Sequence, residues 1–506
     1  MGGKPNGSSG MRAEATPARV AAMEAKEGVE VAAAEARESF RSGRTREASW
    51  RRSQLRGLLA LLTDKEDDIF KSLKHDLGKH QNEAYRDEVG CLIKSIDFAL
   101  NGLKGWMSGE KVKLPLAAFP ATAELIGEPL GVVLIISSWN FPIGLSLEPL
   151  IGAIAAGNAV ILKPSELAPA SASFLSGALP NYVDNKAIKV ITGGPDTGEQ
   201  LLQQRWDKIF FTGSARVGRI VMSAAAKHLT PVTLELGGKC AAVVDSLSSS
   251  WDKQMAVKRI LLGKFGLCAG QVCIGVDYIL VQEQFASTLV VLLKEFLQRF
   301  HWGNLKEPTG MARIVNKHHF SRLKSLLNDK NVRACVVHGG SLDEDNLFIQ
   351  PTILVNPPLD SAIMTEEIFG PLLPIITLKK IDDCIEFINS RPKALALYVF
   401  TKNEKFKRRI VSETSSGSVT FNDATIQYLV DTLPFGGVGA SGFGQYHGKF
   451  SFDCFTHKKA VLRRSFLTHF WFGYPPWNDH KLRLLRLALK YDYLGIVLAV
   501  LGLKRS

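Results

Sequence analysis

Two side chains in this sequence have the chemistry of a covalent catalyst and of the base that would serve it. Cys273 closes the small-residue turn Gly270-Gln-Val-Cys273, where backbone N–H groups can favour the reactive thiolate. Glu235 lies inside the apolar run Val232–Leu236, and burial there would raise its pKa toward that of a general base. The plainer alternatives are a buried structural cysteine and a structural ion pair, and the residues alone leave both open.

A third polar side chain, Asn140, follows a predicted strand in the run Ser138-Trp-Asn-Phe-Pro142. Its amide could donate to the negative oxygen that develops when a nucleophile attacks a carbonyl, although loop capping is an equally simple role. Metal sites are not expected, because Cys268 and Cys273 are five residues apart and the histidines are scattered. The pattern therefore indicates nucleophilic rather than metal-assisted chemistry.

Two further loops are candidates for binding an anion such as a pyrophosphate. The strand Lys208–Thr212 ends in Gly213-Ser214 and opens a helix, so free N–H groups and the positive end of the helix dipole would point at the ligand. The turn matches neither a P-loop nor Gly-x-Gly-x-x-Gly, and simple helix packing is the alternative. Lys163 and Glu166, after another strand, add a cation and a carboxylate that could hold a ribose or form a solvated loop.

The elements that position these residues alternate between strand and helix. Residues 36–110 have helical apolar spacing, and from Val132 onward short apolar runs alternate with helical stretches. The predicted strands are Val132–Ser137, Ala159–Leu162, Ile188–Thr192, Ile209–Thr212 and Val232–Leu236. This rhythm predicts an α/β fold with a parallel sheet covered on both faces, and a second α/β region from about 240 to 420.

Composition excludes several other classes of protein. The chain has 506 residues, of which 46% are hydrophobic and 22% charged, and this is typical of two or three folded domains. No apolar run reaches the roughly 18 residues of a membrane-spanning helix. The seven cysteines have no regular spacing, which argues against a disulfide scaffold and for a reducing compartment.

The positive charge is concentrated at the C-terminus. From Lys458 onward there are ten basic and two acidic residues, so +8 of the net charge of +13 lies there. A basic tail of this kind indicates binding to an acidic surface such as a membrane, and no nucleic acid is expected as a partner. An amphipathic stretch, 481–490, precedes eleven uncharged residues, 493–503, that would reach only about 16 Å as a helix. We therefore expect peripheral membrane contact, with docking on a dimer partner as the alternative.

The N-terminal residues 1–35 are predicted to be a disordered leader, because they contain almost no large apolar side chains. A lipid on Gly2 is disfavoured by Asn6, which stands where Ser or Thr is required. A cleaved transit peptide is disfavoured by the acidic residues that begin at Glu14.

Taken together, the motifs resemble those of the NAD(P)-dependent aldehyde dehydrogenases. The matching blocks, in the family's order, are Ser138-Trp-Asn-Phe-Pro142, Leu162-Lys-Pro-Ser-Glu166, Phe211-Thr-Gly-Ser214, Leu234-Glu-Leu-Gly-Gly-Lys239, Gly270-Gln-Val-Cys273, Glu367-Ile-Phe-Gly-Pro371 and Pro434-Phe-Gly-Gly-Val438. The resemblance extends from about residue 45 to 465. The short helical N-terminal region, Ile274-Gly-Val-Asp-Tyr278 and Tyr474-Pro-Pro-Trp477 are similar to the class 3 branch, which acts on fatty or medium-chain aldehydes.

The resemblance assigns chemical roles to three residues. It implies that Cys273 attacks the aldehyde to form a thiohemiacetal, while Asn140 and the Cys273 N–H hold the oxyanion. After hydride transfer leaves a thioester, Glu235 would activate the water that releases the acid. The expected reaction is NAD(P)-dependent oxidation of medium- to long-chain aliphatic aldehydes to carboxylic acids. A non-catalytic, membrane-associated or scaffold relative is the alternative. A phosphorylating or CoA-acylating relative is disfavoured because it usually lacks a base at the position of Glu235.

The resemblance also assigns cofactor contacts. It implies that Lys163 and Glu166 bind the adenosine ribose and that Gly213 and Ser214 bind the pyrophosphate. The remaining predicted contacts are Trp139, Glu367 and Phe369, of which the last two would place the nicotinamide ribose and ring. The carboxylate of Glu166 favours a free ribose 2′-hydroxyl and therefore NAD, although class 3 members often accept NADP as well.

The implied architecture is a Rossmann-type nucleotide-binding domain, an α/β catalytic domain and a small bridging strand arm, assembled as a homodimer. We assign residues 36–236 to the nucleotide-binding domain, including its helical N-terminal part, and 237–430 to the catalytic domain. Residues 431–470 are the predicted bridging segment and 471–506 the basic and apolar tail. The expected location is the cytosol or the cytoplasmic face of an intracellular membrane.

One block departs from the family pattern. Two asparagines or an Asn-Ser pair commonly precede the Gly-Gln, whereas this chain has Cys268-Ala269. The change could loosen the nucleophile turn, or let Cys268 trap Cys273 in a disulfide under oxidation. No catalytic group is removed, so we expect the degree of activity to be affected rather than its kind.

Overall fold

The computed structural model describes residues 17–115, 118, 121–300, 310–466 and 470–503. The chain forms two compact units: one comprises residues 1–101 with 130–455, and the other comprises 102–129 with 456–506. In chain order the helices are α1 (Pro17–Arg41), α2 (Ala48–Asp64), α3 (Glu66–Leu77), α4 (Gln81–Ala84), α5 (Gly90–Met107), α6 (Gly144–Ala156), α7 (Pro169–Ala178), α8 (Pro195–Gln203), α9 (Ala215–Ala226), α10 (Ser250–Phe265), α11 (Glu283–Arg299), α12 (Lys317–Asn328), α13 (Lys330–Arg333), α14 (Ala362–Thr365), α15 (Asp383–Asn389), α16 (Glu404–Glu413), α17 (Gly448–Cys454), α18 (Asp479–Leu489) and α19 (Tyr493–Val500).

The strands fall into two large sheets, a small three-stranded sheet and a short hairpin. In chain order they are β1 (Glu110–Val112), β2 (Thr122–Pro129), β3 (Val132–Ile136), β4 (Ala159–Lys163), β5 (Ile188–Val190), β6 (Lys208–Thr212), β7 (Val232–Glu235), β8 (Ala241–Val244), β9 (Tyr278–Gln282), β10 (Val336–His338), β11 (Leu342–Asp343), β12 (Phe348–Ile349), β13 (Thr352–Val355), β14 (Leu372–Leu378), β15 (Ala396–Phe400), β16 (Ser418–Phe421), β17 (Gly442–Phe443) and β18 (Thr456–Arg463).

The first large sheet has the order β17-β7-β6-β3-β4-β5 and is parallel except for β17. Its central strands are continuous apolar runs with both faces buried, as the sequence predicts. After β3 the chain forms β4 and β5 on one side of that strand, and it then crosses over to form β6 and β7 on the other side. Ligands of such sheets bind beyond the carboxyl ends of the strands at this reversal, so a crevice between the β3 and β6 loops is expected.

The second large sheet has the order β10-β13-β14-β9-β8-β15-β16, and all neighbours are parallel except β10 and β13. It confirms the predicted second α/β region. The chain passes from β7 to β8 through Leu236–Cys240, and it enters β9 directly after the turn that contains Cys273. The predicted base therefore ends the strand before the first of these connections, and the predicted nucleophile lies on the second.

The N-terminal helices belong to the same unit, and one prediction about them is wrong. Residues 17–35 were expected to be a disordered leader, but they form most of α1, in which Val29, Ala33 and Ala36 are buried. Alanine has the highest helix propensity, and its small side chain lets a helix pack closely without large apolar groups. Residues 1–16 of the predicted leader lie outside the described residues.

The other unit contains an antiparallel sheet in the order β1-β2-β18, with β2 and β18 paired along eight residues. This changes the predicted boundaries of the bridging segment. Residues 431–455 belong to the first unit, and β18 pairs with β2, which we had assigned to the nucleotide-binding domain. The partner of an antiparallel strand can lie anywhere in the chain, so the pattern of one strand does not identify it.

The C-terminal tail in this unit folds as α18 and α19, with Phe472, Leu484 and Ala499 buried in a small cluster. None of the described helices combines the length and the hydrophobicity needed to cross a bilayer.

Candidate active site

The predicted nucleophile and the predicted base line one cavity of about 320 Å³ in the first unit. Cys273 and Glu235 are both on its wall, and most of the remaining lining is apolar or aromatic. This lining includes Phe141, Leu145, Leu267, Tyr428, Phe435 and Tyr446. Four charged residues also contribute, as the ion pairs Arg86–Asp87 and Arg259–Asp423. The cavity can therefore hold a largely apolar molecule against a thiol and a carboxyl group.

The environment of the thiol keeps it protonated in this arrangement. Burial raises the pKa of Cys273 to about 12, and the negative charges of Glu367 and Glu235 add to the effect. The backbone N–H groups of Ile274 and of Cys273 itself act in the opposite direction. A thiol of this kind needs a nearby base or positive charge before it becomes a nucleophile.

Glu235 is the last residue of β7 and is 3% exposed. Within the described part of the chain neither carboxyl oxygen has a hydrogen-bond partner, which excludes the alternative of a structural ion pair there. Burial raises the pKa of Glu235 well above its usual value. Once ionised, such a carboxylate is a strong base, because taking up a proton relieves the cost of a buried charge.

Asn140 lies in the loop after β3 and is 2% exposed. Its Nδ2 donates to the carbonyl of Gln271 over 2.9 Å, which ties the loop to the turn two residues before Cys273. An amide nitrogen carries two N–H donors, so this bond leaves the second for another acceptor. The structure thus connects the predicted oxyanion donor to the nucleophile turn through one hydrogen bond.

A buried ion pair that was not predicted from the sequence supports the Asn140 loop. Lys79 Nζ lies 2.6 Å from Glu88 Oε1 and donates to the Asn140 carbonyl over 2.9 Å. Glu88 Oε2 accepts from the N–H groups of Ile143 and Gly144, each at 2.9 Å, where α6 begins. Burial lowers the pKa of Lys79, but the acidic groups around it, Glu88 first, together more than offset this and the pKa is raised.

The predicted pyrophosphate turn lies beside the base. Ser214 caps α9 by accepting from Val217 N, and Gly213 N donates to the Glu235 carbonyl over 3.0 Å. A Cβ on Gly213 would come within 2.6 Å of the Phe211 ring, so any other residue in this turn would displace that ring. The first turn of α9 contains no acidic residue. It thus presents N–H groups and a positive dipole end, which suit a dinucleotide pyrophosphate.

Lys163 and Glu166 form an ion pair of 2.8 Å at the carboxyl end of β4. The Lys163 side chain is almost fully buried, while that of Glu166 is 38% exposed. The carboxylate is therefore held in place and still open to a ligand. A ribose hydroxyl is a suitable partner for such a group.

Glu367 and Phe369 lie in the loop between α14 and β14, and Trp139, from the loop after β3, packs against Phe369. Glu367 Oε1 accepts from Gly238 N over 2.9 Å, and burial raises the pKa of Glu367 to about 7. The ring of Trp139 lies edge-on to Phe369, with centroids 5.4 Å apart, and edge-on to His319 at 5.0 Å. Burial lowers the pKa of His319 to about 4, so this ring is neutral at physiological pH.

The loop that carries Glu367 and Phe369 is held by a second buried ion pair. Lys239 pairs with Asp277 and donates to the carbonyls of Ile363 and Glu366 over 2.8 Å. Asp277 Oδ1 in turn accepts from Ile368 N over 3.0 Å. Asp277 was not identified from the sequence, although an acid in the apolar run after Cys273 is a signal that could have identified it.

Comparison with known proteins shows the family to which the chain belongs. The model of the aldehyde dehydrogenase family matches residues 12–461. Aldehyde dehydrogenase family 3 member F1 of Arabidopsis thaliana is 55% identical over 484 residues, covering 96% of this chain and 100% of that protein. Aldehyde dehydrogenase family 3 member A2 of Mus musculus is 43% identical over 470 residues, covering 92% of this chain and 96% of that protein.

A solved structure gives the same result at the level of the fold. The substrate-bound state of Staphylococcus aureus AldH superposes with a TM-score of 0.88 at 42% identity, covering 91% of this chain and 99% of that one. The described fold, with its two large α/β sheets, is therefore that of an aldehyde dehydrogenase. The chain belongs to the aldehyde dehydrogenase family, in its class 3 branch, and is an NAD(P)-dependent oxidoreductase.

Proposed function

We propose that this enzyme oxidises medium- to long-chain aliphatic aldehydes to carboxylic acids, with Cys273 as nucleophile and Glu235 as base. The observation that carries the proposal is the 320 Å³ cavity, whose wall combines these two groups with mostly apolar and aromatic side chains. Each CH₂ group that the substrate buries against the cavity wall contributes about 0.8 kcal/mol to binding, which corresponds to about fourfold in kcat/KM. The increase continues with chain length until the added groups no longer contact the wall. An apolar lining therefore selects longer chains.

In the proposed reaction the Cys273 sulfur bonds to the aldehyde carbon, and its proton passes to a base. The resulting oxyanion is held by the second N–H of Asn140 and by the Cys273 N–H. NAD, when bound, supplies the acceptor for the hydride that leaves this carbon. Glu235 then takes a proton from a water molecule as the oxygen of that water attacks the thioester carbon. The C–S bond breaks, the acid departs, and the proton returns to the sulfur.

We propose that the dinucleotide is held by the residues that the resemblance assigns to it. Ser214 and the N–H groups at the start of α9 suit the pyrophosphate, and Lys163 with Glu166 suits the adenosine ribose. Glu367 suits the nicotinamide ribose, with Phe369 and Trp139 beside the ring. NAD is the preferred cofactor, because a 2′-phosphate would face the Glu166 carboxylate, and NADP is expected to bind more weakly.

The test is NAD(P)H absorbance with straight aldehydes from propanal to hexadecanal, for the wild type, Cys273→Ala and Cys335→Ala. We expect turnover to rise with chain length, to vanish in Cys273→Ala and to persist in Cys335→Ala, which removes a thiol outside this cavity. Preference for short or aromatic aldehydes would overturn the substrate class. No turnover with either cofactor, from a folded protein kept reduced, would favour the scaffold alternative.

We also propose that the C-terminal tail lies on the cytoplasmic surface of an intracellular membrane. Leu482 and Leu489 of α18 and Leu494, Val497 and Val500 of α19 are exposed apolar side chains. Among the described residues of the tail, Arg483, Arg486 and Lys490 are exposed cations. Exposed apolar groups next to cations match the interface of an anionic bilayer.

Sedimentation with phosphatidylserine-containing vesicles tests this. We expect the full chain to pellet, and a double variant Leu494→Asp, Val497→Asp to stay in solution. Pelleting by that variant would contradict the anchor. Failure of the wild type to pellet, with a fall in mass from dimer to monomer in the variant, would show that the tail docks on a partner subunit instead.

A homodimer is the proposed assembly, as the class 3 resemblance implies. Sedimentation equilibrium on the wild type checks it, and a concentration-independent mass near 55.5 kDa would contradict it.

A further inference from the structure

The turn before Cys273 contains three consecutive residues in the left-handed region of backbone space. The φ angles of Cys268, Ala269 and Gly270 are 44°, 52° and 79°. Glycine accepts this region freely, but residues with a Cβ other than Asn and Asp rarely do. Cys268 and Ala269 are also fully buried, at 0% and 1% exposure. The conformation persists only if the surroundings hold it there.

Two side chains hold this turn at Cys268. Glu83 Oε1 accepts from the Cys268 N–H over 2.6 Å, and Gln271 Nε2 donates to the Cys268 carbonyl over 2.9 Å. The Gln271 side chain is itself fixed, because it also donates to the Arg313 carbonyl and accepts from Val315 N. Both backbone groups of the first strained residue are thus bonded to side chains.

Glu83 differs from Gln271 because it comes from a distant part of the chain. It lies in α4, some 185 residues before Cys268, and is 8% exposed. Its carboxyl group faces Lys79 and, from the following turn, Asp87 and Arg86, and burial raises its pKa to about 7. Without Glu83 the Cys268 N–H would lose its hydrogen-bond partner at a residue that is fully buried.

We propose that Glu83 is a positioning residue for the nucleophile: by accepting the Cys268 N–H it holds the strained turn and fixes the Cys273 sulfur relative to Asn140. The link to Asn140 runs through Gln271, whose carbonyl accepts from the Asn140 amide. This inference rests on the proposed function, in which Cys273 is the nucleophile. Asparagine adopts the left-handed conformation at a lower cost in energy than cysteine or alanine does. Because this chain has Cys268-Ala269 in the turn, the hydrogen bond to Glu83 is needed to hold that conformation.

The first test compares three substitutions of Glu83. Glu83→Leu removes the acceptor, Glu83→Asp withdraws it by one methylene group, and Glu83→Gln keeps a neutral acceptor. We expect kcat to fall roughly tenfold in the Leu variant, about as much in Asp, and less than about threefold in Gln. The KM for the aldehyde should stay within about twofold, because Glu83 does not line the cavity. Glu83→Asp carries the test if Glu83→Leu does not fold.

A second readout requires neither cofactor nor turnover. The rate of iodoacetamide alkylation at Cys273, followed by peptide mass spectrometry, reports how the sulfur is held. We expect Glu83→Leu to change this rate several-fold relative to the wild type, while alkylation of the partly exposed Cys335 stays the same. Equal Cys273 rates in all variants would overturn the proposal.

A double-mutant cycle separates positioning from general destabilisation. Ala269→Gly removes the Cβ that opposes the left-handed conformation, so Glu83→Leu should cost only about twofold in kcat in that background. Leu229→Gly is the matched control, because Leu229 has φ 53° but is 91% exposed, and it should leave the tenfold loss unchanged. An equal loss with and without Ala269→Gly would contradict the proposal. If the wild type shows no turnover, the proposed function fails, and the alkylation rates still decide the role of Glu83.

Discussion

Two buried acidic side chains, Glu235 and Glu88, lie in opposite surroundings within one folded unit. Glu88 pairs with Lys79 and accepts two backbone N–H groups, so its charge is fully compensated. Glu235 is equally buried, but its oxygens have no hydrogen-bond partner among the described residues. The surroundings of Glu88 fix the Asn140 loop, whereas those of Glu235 favour uptake of a proton by its carboxylate. Substitutions at the two sites should therefore separate stability from activity.

The largest expected effect is on activity, in Glu235→Gln. Removing a general base lowers kcat by roughly 10²–10⁴-fold, and loss of thioester hydrolysis should leave a burst of one NADH per active site. Measurement is by stopped-flow absorbance. Glu404→Gln is the control, because Glu404 pairs with Lys407 at the surface and should behave as the wild type.

The same substitution should raise stability at neutral pH. The pKa of Glu235 is raised in the folded state, so the folded protein binds a proton that the unfolded chain releases above about pH 4.5. Stability is therefore lost as the pH rises, and Glu235→Gln avoids that loss. We expect a higher Tm than the wild type at pH 7.5 and little difference at pH 4.5. A lower Tm at pH 7.5 would mean that Glu235 has a stabilising partner.

Lys79→Met should act in the opposite sense, by lowering stability. It leaves Glu88 charged and unpaired in the interior, which costs about 3–5 kcal/mol in the free energy of unfolding. The double variant Lys79→Met, Glu88→Gln should recover a large part of this, as measured by urea unfolding. Lys71→Met is a suitable control, because Lys71 is 76% exposed in its pair with Asp68. A similar loss in single and double variants would show that the charge is not the cause.

Asn140→Ala tests the residue whose loop is held by the Lys79–Glu88 pair and whose amide bonds to the turn of Cys273. Loss of an oxyanion donor costs about 2.7–4 kcal/mol, or roughly 10²–10³-fold in kcat. The lost hydrogen bond to Gln271 should lower the free energy of unfolding by only about 1 kcal/mol. Steady-state kinetics and urea unfolding on one preparation measure both. Asn346→Ala removes an exposed amide bonded to Asp343 and should change neither.

The smallest expected effect is in Trp139→Phe. It weakens edge-on ring contacts with Phe369 and His319 that are worth about 0.5–1.5 kcal/mol, so the KM for NAD should rise about two- to tenfold. Initial rates at varied NAD measure this. Trp251→Phe, at a residue that is 68% exposed, is the matched control, and an equal rise there would contradict a local effect.

Local sequence motifs predict the reactive groups of this site but not the groups that hold them. Cys273, Glu235 and Gly213 are each flanked by residues that define their turn or strand, so a short segment is enough to propose them as candidates. Lys79, Glu83 and Glu88 lie in a charged, helical stretch and have the composition of a solvated surface. Their partners are Asn140, Cys268 and the start of α6, far away in the chain. Only tertiary structure brings such groups together.

The fold follows the same rule. The parallel strands β3, β4, β6 and β7 are buried on both faces and are predicted correctly as continuous apolar runs. The antiparallel pair β2 and β18 joins segments more than 300 residues apart, and nothing local in β18 indicates that partner. The helix α1 was missed because its packing depends on small side chains, which low hydrophobicity does not reveal.

The pairing of the short strand β17 with β7 determines when, during synthesis of the chain, the first large sheet can be completed. Gly442 pairs with Glu235, and Leu236 N donates to the Ser441 carbonyl, so β7 gains its outer neighbour from a segment some 200 residues later. A nascent chain on the ribosome carries Cys273 long before residue 442 has been synthesised. The strand that ends in the proposed base therefore completes its pairing only after residue 442 has been synthesised. Until then the chain contains the thiol, but the proposed active site is incomplete.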